Sequence, residues 1–445
     1  MTASLFRRGA LVAAALVAAA VAGTGGLAPR ATPPEAPASG STVDSAGAEG
    51  GSNHSAPAPL AAARLAGIVE RALADPRLMG TTVGLSVFVD GLGEVAAHQP
   101  DLPLNPASNQ KLYTAMAALA VVDPGFTFAT EVRSNGAIQD GVLHGDLVLA
   151  GGGDPTLRAH GRHSLDDLAA ALQRAGIRRV TGALIGDEGR YDTQRRASGW
   201  FSWHVPRLVG PLSALTVDRN QYRTDPAFVA DPVPANLRLF RAALARRGIL
   251  VAGADISGRV NPGSRTLASI RSEPLTSVVA GMLTRSDNTA AELLVKEIGF
   301  QVRGRGTTAE GLRAADDALA GLAVPRRGRS ADGSGLSRAD LRSAREWRRL
   351  LQAARAQPWG GRLAASLPLA GRSGTLGSRF RGTAAEGNLR AKTGWILEGR
   401  ALSGYLTTAG GRPVVFSVIV NGTHPQAPVV GAIDDMVAAL AAERS

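Results

Sequence analysis

The sequence predicts a mixed α/β (α+β) protein in which one domain is inserted into another. Three observations point there. β-rich runs close to the start (TTVGLSVFVD, residues 81–90) and close to the end (residues 389–395, 401–407 and 414–420) are flanked by helical patterns. They are expected to share one antiparallel sheet flanked by helices. Between residues 135 and 263, short β-like runs alternate with Gly- and Asp-rich turns. Finally, 445 residues exceed one ordinary domain. The expected division is a discontinuous domain, residues 63–134 and 264–445, interrupted by a β-rich inserted domain, residues 135–263.

The chain opens with Arg7 and Arg8, an apolar run over residues 10–22 and small residues up to Pro29. That order describes a signal peptide over residues 1–28. The run is shorter than the ~20 residues of a spanning helix. With residues 23–28 added it reaches the length of a retained N-terminal anchor, so both readings stand. Either one exports the chain. Residues 29–62 are rich in Pro, Ala, Gly and Ser and cannot bury a core; they are expected to be a disordered linker.

Residues 61–78 read as an amphipathic helix with Leu65, Ile68, Val69 and Leu73 on one side. The first strand turns at Gly91-Leu92-Gly93 into a second over residues 94–98. GLGEVA is not read as a dinucleotide loop, because the next segment is short and β-like and lacks the acidic residue ~20 positions on. A helix beginning near Ser108 ends at Asp123-Pro124-Gly125. Inside the insertion, residues 164–175 and 235–247 read as helices. Gly151-Gly152-Gly153-Asp154 has no Gly-Lys-Ser/Thr after it and reads as a turn rather than a phosphate loop. Helices follow over residues 275–283, 289–298 (capped by Asp287 or Asn288), 308–322, 341–356 and 432–442.

There is no cysteine, which excludes disulfides and thiolate–zinc sites. The net charge of +12 fits either a solvated basic surface in an Arg-biased chain or attraction toward an anionic cell-envelope surface. Nucleic acid is not an expected partner, since aromatics are 4% of residues and no nucleic-acid motif is present. His160 and His163 are spaced i, i+3 with no carboxylate set for a metal, and His424 reads as a loop residue. No metal and no cofactor are expected. No G-x-S-x-G is present, so a Ser-His-Asp esterase has little support.

The cations carry more information. Of 49 Lys and Arg residues only Lys111, Lys296 and Lys392 are lysine, leaving 49 − 3 = 46 arginines. Lys can lose its proton when desolvated and Arg cannot, so a lysine kept against this bias is a candidate for chemistry. Lys111 stands three residues after Ser108 in PASNQKLYTAMAAL, at the start of a helix. Positions i and i+3 share a helix face, which puts an amine beside a hydroxyl that needs a base to become a nucleophile. Lys392-Thr393-Gly394 lies on a strand, where glycine lets a ligand or backbone approach closely. Ser286-Asp287-Asn288 falls between two helices. Lys296 lies inside an apolar helix and reads as structural.

Singly these motifs are weak; together, in the order S-x-x-K, S-D-N, K-T-G, they are specific. The chain resembles the serine D-alanyl-D-alanine carboxypeptidase/endopeptidase family, the low-molecular-weight class C penicillin-binding proteins. The resemblance extends to GDLVLAGGGDPTL, to Val217-Asp218-Arg219-Asn220, and to DGSGLSR, LPLAG and ALSGYLTTA, and runs from about residue 63 to the end. Ser108 to Ser286 spans 286 − 108 = 178 residues, far more than a plain β-lactamase core needs, and such an insertion marks the class C proteins.

The resemblance implies a penicillin-binding/β-lactamase-like transpeptidase fold acting on peptidoglycan stem peptides, with β-lactams as covalent inhibitors. It implies Ser108 as nucleophile, Lys111 as general base, and Ser286 as proton relay to the leaving amine. Asn288 would hold the substrate amide and Lys111. Lys392 would tune Ser286, serve as a second cation depressing Lys111 and, with Thr393 and Gly394, form the carboxylate-binding strand. The backbone N–H groups of Ser108 and Trp395 would make the oxyanion hole. Trp395 departs from the family, which usually has a small hydroxylated residue there. The competing readings are a β-lactamase or esterase on this scaffold, and a wall-binding or penicillin-sensing protein with impaired catalysis. Carboxypeptidase and endopeptidase are not ranked by the sequence, nor is an oligomeric state indicated.

Overall fold

Alternation in the strand Pro413–Asn421 shows how the first sheet is built. Val414, Phe416, Val418 and Val420 pack into one core, and Val415 and Ile419 into another on the opposite face. A strand apolar on both faces belongs in the middle of a sheet covered on both sides. The computed structural model, which describes residues 58–221, 226–325, 327–424 and 427–444, has that arrangement. The expected signal peptide or anchor, and the linker up to residue 57, lie outside the described residues.

The sheet order is Arg390–Ile396, Gly399–Thr407, Pro413–Asn421, Thr82–Val89 and Gly93–His98, with every neighbouring pair antiparallel. The strands from the two ends of the chain therefore share one sheet. The helices Ala58–Leu73 and Val429–Ala442 cover one face. Gln110–Val121, Leu275–Arg285 and Ala344–Arg355 contribute to the core on the other. Gln110–Val121 is buried nearly all round, as a central core helix must be. The first helix begins at Ala58 and ends at Leu73, a few residues earlier than the sequence pattern suggests. Among the described residues no helix is long and apolar enough to cross a membrane.

A second sheet has the order Asp255–Gly258, Leu184–Asp187, Leu147–Ala150, Ala129–Ser134 and Arg265–Arg271. This corrects one expectation. The sequence pattern assigns the strands Ala129–Ser134 and Arg265–Arg271 to the outer domain, but they pair with each other inside the second sheet. The inserted layer is therefore wider than residues 135–263. It also carries the helices Leu165–Arg174 and Val233–Arg246, which bury their apolar faces in its own core.

The two parts are joined tightly at the helix Asn288–Arg303. Arg190 makes a two-point contact with buried Glu297, at 2.8 and 2.6 Å, and Tyr191 Oη donates to the same carboxylate at 2.8 Å. Lys296, the lysine read as structural, is fully buried and paired with Asp192. A small cluster of Tyr191, Val205, Val209 and Leu212 from the inserted part packs on Leu293 and Leu336.

Candidate active site

The nucleophile turn is held before any catalytic group is considered. Ser108 lies in a short 3-10 turn, Ala107–Asn109, leading into the helix Gln110–Val121. Ala107 has φ +49°, a left-handed conformation that costs a non-glycine residue ~1–3 kcal/mol. Its surroundings impose it: Asn105 Oδ1 accepts from the Ala107 N–H at 2.8 Å, and Asn105 is itself clasped by Asn421. Asn109 Nδ2 donates to Ser403 Oγ at 2.6 Å, and Ser403 Oγ donates to Ser417 Oγ at 2.8 Å. In register, Lys392, Ser403, Ser417 and Ser86 form one row across the sheet. This row of small hydroxylated residues leaves room for the turn against Lys392.

Gly394 completes the fit. A Cβ there would lie 2.8 Å from Pro106 O and 3.2 Å from the Ala107 Cβ, so only glycine lets the edge strand Arg390–Ile396 approach. Gly335 has φ +83°, and an added Cβ would meet Ala107 O from the opposite side.

Lys111 is fully buried, and its Nζ reaches Ser108 Oγ at 3.0 Å, Asn288 Oδ1 at 2.6 Å and the Ser334 carbonyl at 2.7 Å. An ammonium has three donors and no acceptor, so all three are spent. Two of the three partners are carbonyl oxygens, which only accept. When the amine loses a proton, the free lone pair must therefore face Ser108, the one partner able to donate. Burial lowers the Lys111 pKa to about 8 against the opposing pull of Asp332, Glu292, Asp287 and Asp340. Burial is the main cause at both lysines, and the neighbouring Lys111 charge adds to the fall at Lys392.

The S-D-N corner follows from two opposed signals. Ser286 takes a left-handed conformation that ends the helix Leu275–Arg285, and Asp287 caps the next helix by accepting from the Ala290 N–H at 3.0 Å. Asn288 Nδ2 donates to Leu208 O at 2.8 Å, which fixes Oδ1 toward Lys111. Arg219, from the Val217–Asn220 stretch, pairs with Asp287. The inserted part therefore holds the corner at two points.

On the facing strand, buried Lys392 Nζ donates to Ser286 Oγ at 2.9 Å and to Thr393 O at 2.7 Å. Burial and the neighbouring Lys111 charge push its pKa well down. Thr393 Oγ1 donates to Thr375 Oγ1 at 2.8 Å. Trp395 shares the Thr393 face of the strand. It is half-exposed, with the Arg400 guanidinium 3.7 Å from its ring centroid. The indole is thus held against the sheet beside Thr393.

The structure brings together all eight residues singled out from the sequence. Ser334, Glu292, Thr375 and Leu208 also shape the site, and sequence reasoning assigns them nothing. Two act through backbone carbonyls, which no side-chain motif reveals. Glu292 has a usable signal, standing four residues after Asn288 on the same helix face. His160 contacts Asp166 at 2.9 Å and His163 contacts Asp154 at 2.5 Å. Among the described residues no group of three or more His, Cys, Asp or Glu is placed to hold a metal.

Comparison with known proteins places this geometry. The model of the D-Ala-D-Ala carboxypeptidase 3 (S13) family matches residues 65–231 and 225–443. A D-alanyl-D-alanine carboxypeptidase of Actinomadura sp. is 32% identical, with 84% of each chain covered. Carboxypeptidase DacB of Mycolicibacterium smegmatis is 32% identical, covering 87% of this chain and 85% of its own. The crystal structure of penicillin binding protein 4 from Haemophilus influenzae superposes with a TM-score of 0.73 at 22% identity, over 84% of this chain and 99% of that one. That protein has also been crystallised with a β-lactam.

Proposed function

Because the chain belongs to the D-Ala-D-Ala carboxypeptidase 3 (S13) family, we propose that Ser108 is the acyl-accepting nucleophile of a serine D-alanyl-D-alanine carboxypeptidase acting on peptidoglycan stem peptides. The observation that carries this is the Lys111 amine, stripped of solvent, 3.0 Å from Ser108 Oγ and constrained to aim its lone pair there.

The reaction runs in two halves. Neutral Lys111 takes the Ser108 proton as Oγ bonds to the carbonyl carbon of the terminal D-Ala–D-Ala peptide. The oxyanion is met by the backbone N–H groups of Ser108 and Trp395; one such donor is worth ~3–4 kcal/mol of barrier. Collapse expels the D-Ala amine, which takes a proton through Ser286, itself held by Lys392 at 2.9 Å. Thr393 and Lys392 hold the terminal carboxylate, and its negative charge draws the Lys392 pKa back up. Asn288 positions the substrate amide. Water then releases the acyl group and restores Ser108; an amine in its place gives transpeptidation.

The substrate is extracytoplasmic, so the reading includes export through the N-terminal segment. β-Lactams acylate the same serine and are released slowly. Incubation with purified muropeptides tests the reading. Release of D-Ala from pentapeptides supports it, and cleavage of cross-linked dimers adds endopeptidase action. Rapid turnover of β-lactam with no attack on muropeptides would favour the lactamase reading instead.

A further inference from the structure

Glu292 is fully buried beside the site and has no part in the mechanism above. It lies on the helix Asn288–Arg303, one turn beyond Asn288. Its Oε1 accepts from the Gly333 N–H at 3.0 Å and the Ser334 N–H at 2.8 Å. The carbonyl of that same Ser334 accepts from Lys111 Nζ at 2.7 Å. One residue of backbone therefore separates the carboxylate from the amine.

The neighbouring acids have other work. Asp332 accepts from the N–H groups of Ser334, Gly335 and Ser337 and from Trp200 Nε1, and Asp340 accepts from the N–H groups of Ala331 and Asp332. Those contacts hold the 331–340 loop. Glu292 Oε2 and Asp340 Oδ2 are both buried with no hydrogen-bond partner among the described residues, but only Glu292 is bonded to the peptide that Lys111 touches. An ionised carboxylate with a bare oxygen in a dry site is costly. A protonated one is far less so. Burial and Asp332 push Glu292 up to about 8, close to the value for Lys111.

We propose that Glu292 is a positioning residue for the general base, holding Lys111 through the Ser334 peptide and carrying the proton when Lys111 is neutral. With one proton between them, the pair is either ammonium and carboxylate or amine and carboxylic acid. Both have zero net charge, and only the second can activate Ser108. No net proton is gained or lost in passing between the two forms. The other charges facing the pair are Asp332 and Asp340 from the loop, Asp287 (paired with Arg219) from the corner, and Lys392 from the strand. His204, which senses Asp332, is pushed down to about 4 by burial and stays neutral near pH 7. Lys296, one turn along the helix, is neutralised by Asp192.

The proposal rests on Lys111 being the base for Ser108. Its test is the pH profile of Ser108 acylation by a fluorescent penicillin in Glu292→Gln. Gln mimics the protonated carboxyl: it keeps an acceptor oxygen for both N–H groups and carries no charge. Because the active form pairs neutral Lys111 with a protonated Glu292, the acid limb should stay within about half a unit of wild type, with the high-pH plateau within about threefold. Glu292→Asp falls short of Ser334; its plateau should drop with no downward shift of the limb. A limb that moves to lower pH by about one unit or more in a folded Glu292→Gln protein would mean that the wild-type carboxylate is charged beside Lys111, and overturns the proposal. A purely structural Glu292 would lower the plateau alone. A wild-type enzyme that never acylates would instead overturn the functional reading. Glutamate-specific 13C labelling of the unmodified protein needs neither variant nor activity. One carboxyl should titrate near pH 8; if all titrate near ~4.3, the proposal fails.

Discussion

Replacing Lys111 with arginine separates the charge of this side chain from its ability to act as a base. Lowering the Lys111 pKa from 10.5 to about 8 corresponds to about 3 kcal/mol disfavouring the ammonium, at ~1.4 kcal/mol per unit. The same pocket acting on a guanidinium would have to supply about twice that, because Arg starts near ~13. The substituted guanidinium would therefore remain a cation with no lone pair. Its wider head must also fit where Nζ now meets three oxygens between 2.6 and 3.0 Å. Loss of general-base help predicts a fall of about 10²–10⁴ in the second-order rate of acylation. The assay is stopped-flow acylation by a fluorescent penicillin, with Tm measured alongside to show a folded variant. In the wild type the sign is fixed: below its pKa Lys111 already holds the extra proton and cannot accept another. The rate should rise about tenfold per pH unit and level off near pH 8. A folded Lys111→Arg protein that acylates within tenfold of wild type would refute the reasoning, as would a flat wild-type profile below pH 8.

Three further substitutions probe the walls of the site. Gly394→Ala places a Cβ 2.8 Å from both Pro106 O and the Ala401 Cβ; overpacking of ~1–3 kcal/mol should lower Tm, and the displaced strand should cut kcat/KM by about 10². Trp395→Thr removes the stacking on Arg400 at little cost in stability and supplies a hydroxyl beside Thr393; KM for a D-Ala-D-Ala peptide should fall, and an unchanged or higher KM would count against carboxylate binding there. Arg219→Gln releases Asp287 from the inserted part; acylation should slow while Tm, dominated by the separate cores, changes little.

What can be read in advance divides along physical lines. Ser108 and Lys111 are set by helical spacing, Ser286 and Asn288 by cap chemistry, and Lys392 with Gly394 by strand position. These are local signals, and the structure brings the residues together. The contribution of Ser334 is a carbonyl, and Glu292 matters only because the chain folds the 331–340 loop onto it. The first leaves no trace in spacing; the second leaves only the i, i+4 step from Asn288. Alternation likewise tells a strand which face is apolar but not which strand it will pair with: Ala129–Ser134 and Arg265–Arg271 fall within the bounds expected for the discontinuous domain, yet pair with each other in the second sheet.

The central claim is that Ser108 accepts the acyl group. Incubation of the folded protein with a labelled penicillin, followed by digestion and mass mapping, measures this directly. One stable adduct on the peptide carrying Ser108, absent from a Ser108→Ala protein of unchanged Tm, is the predicted result. An adduct on any other residue, or none on folded protein, would contradict it.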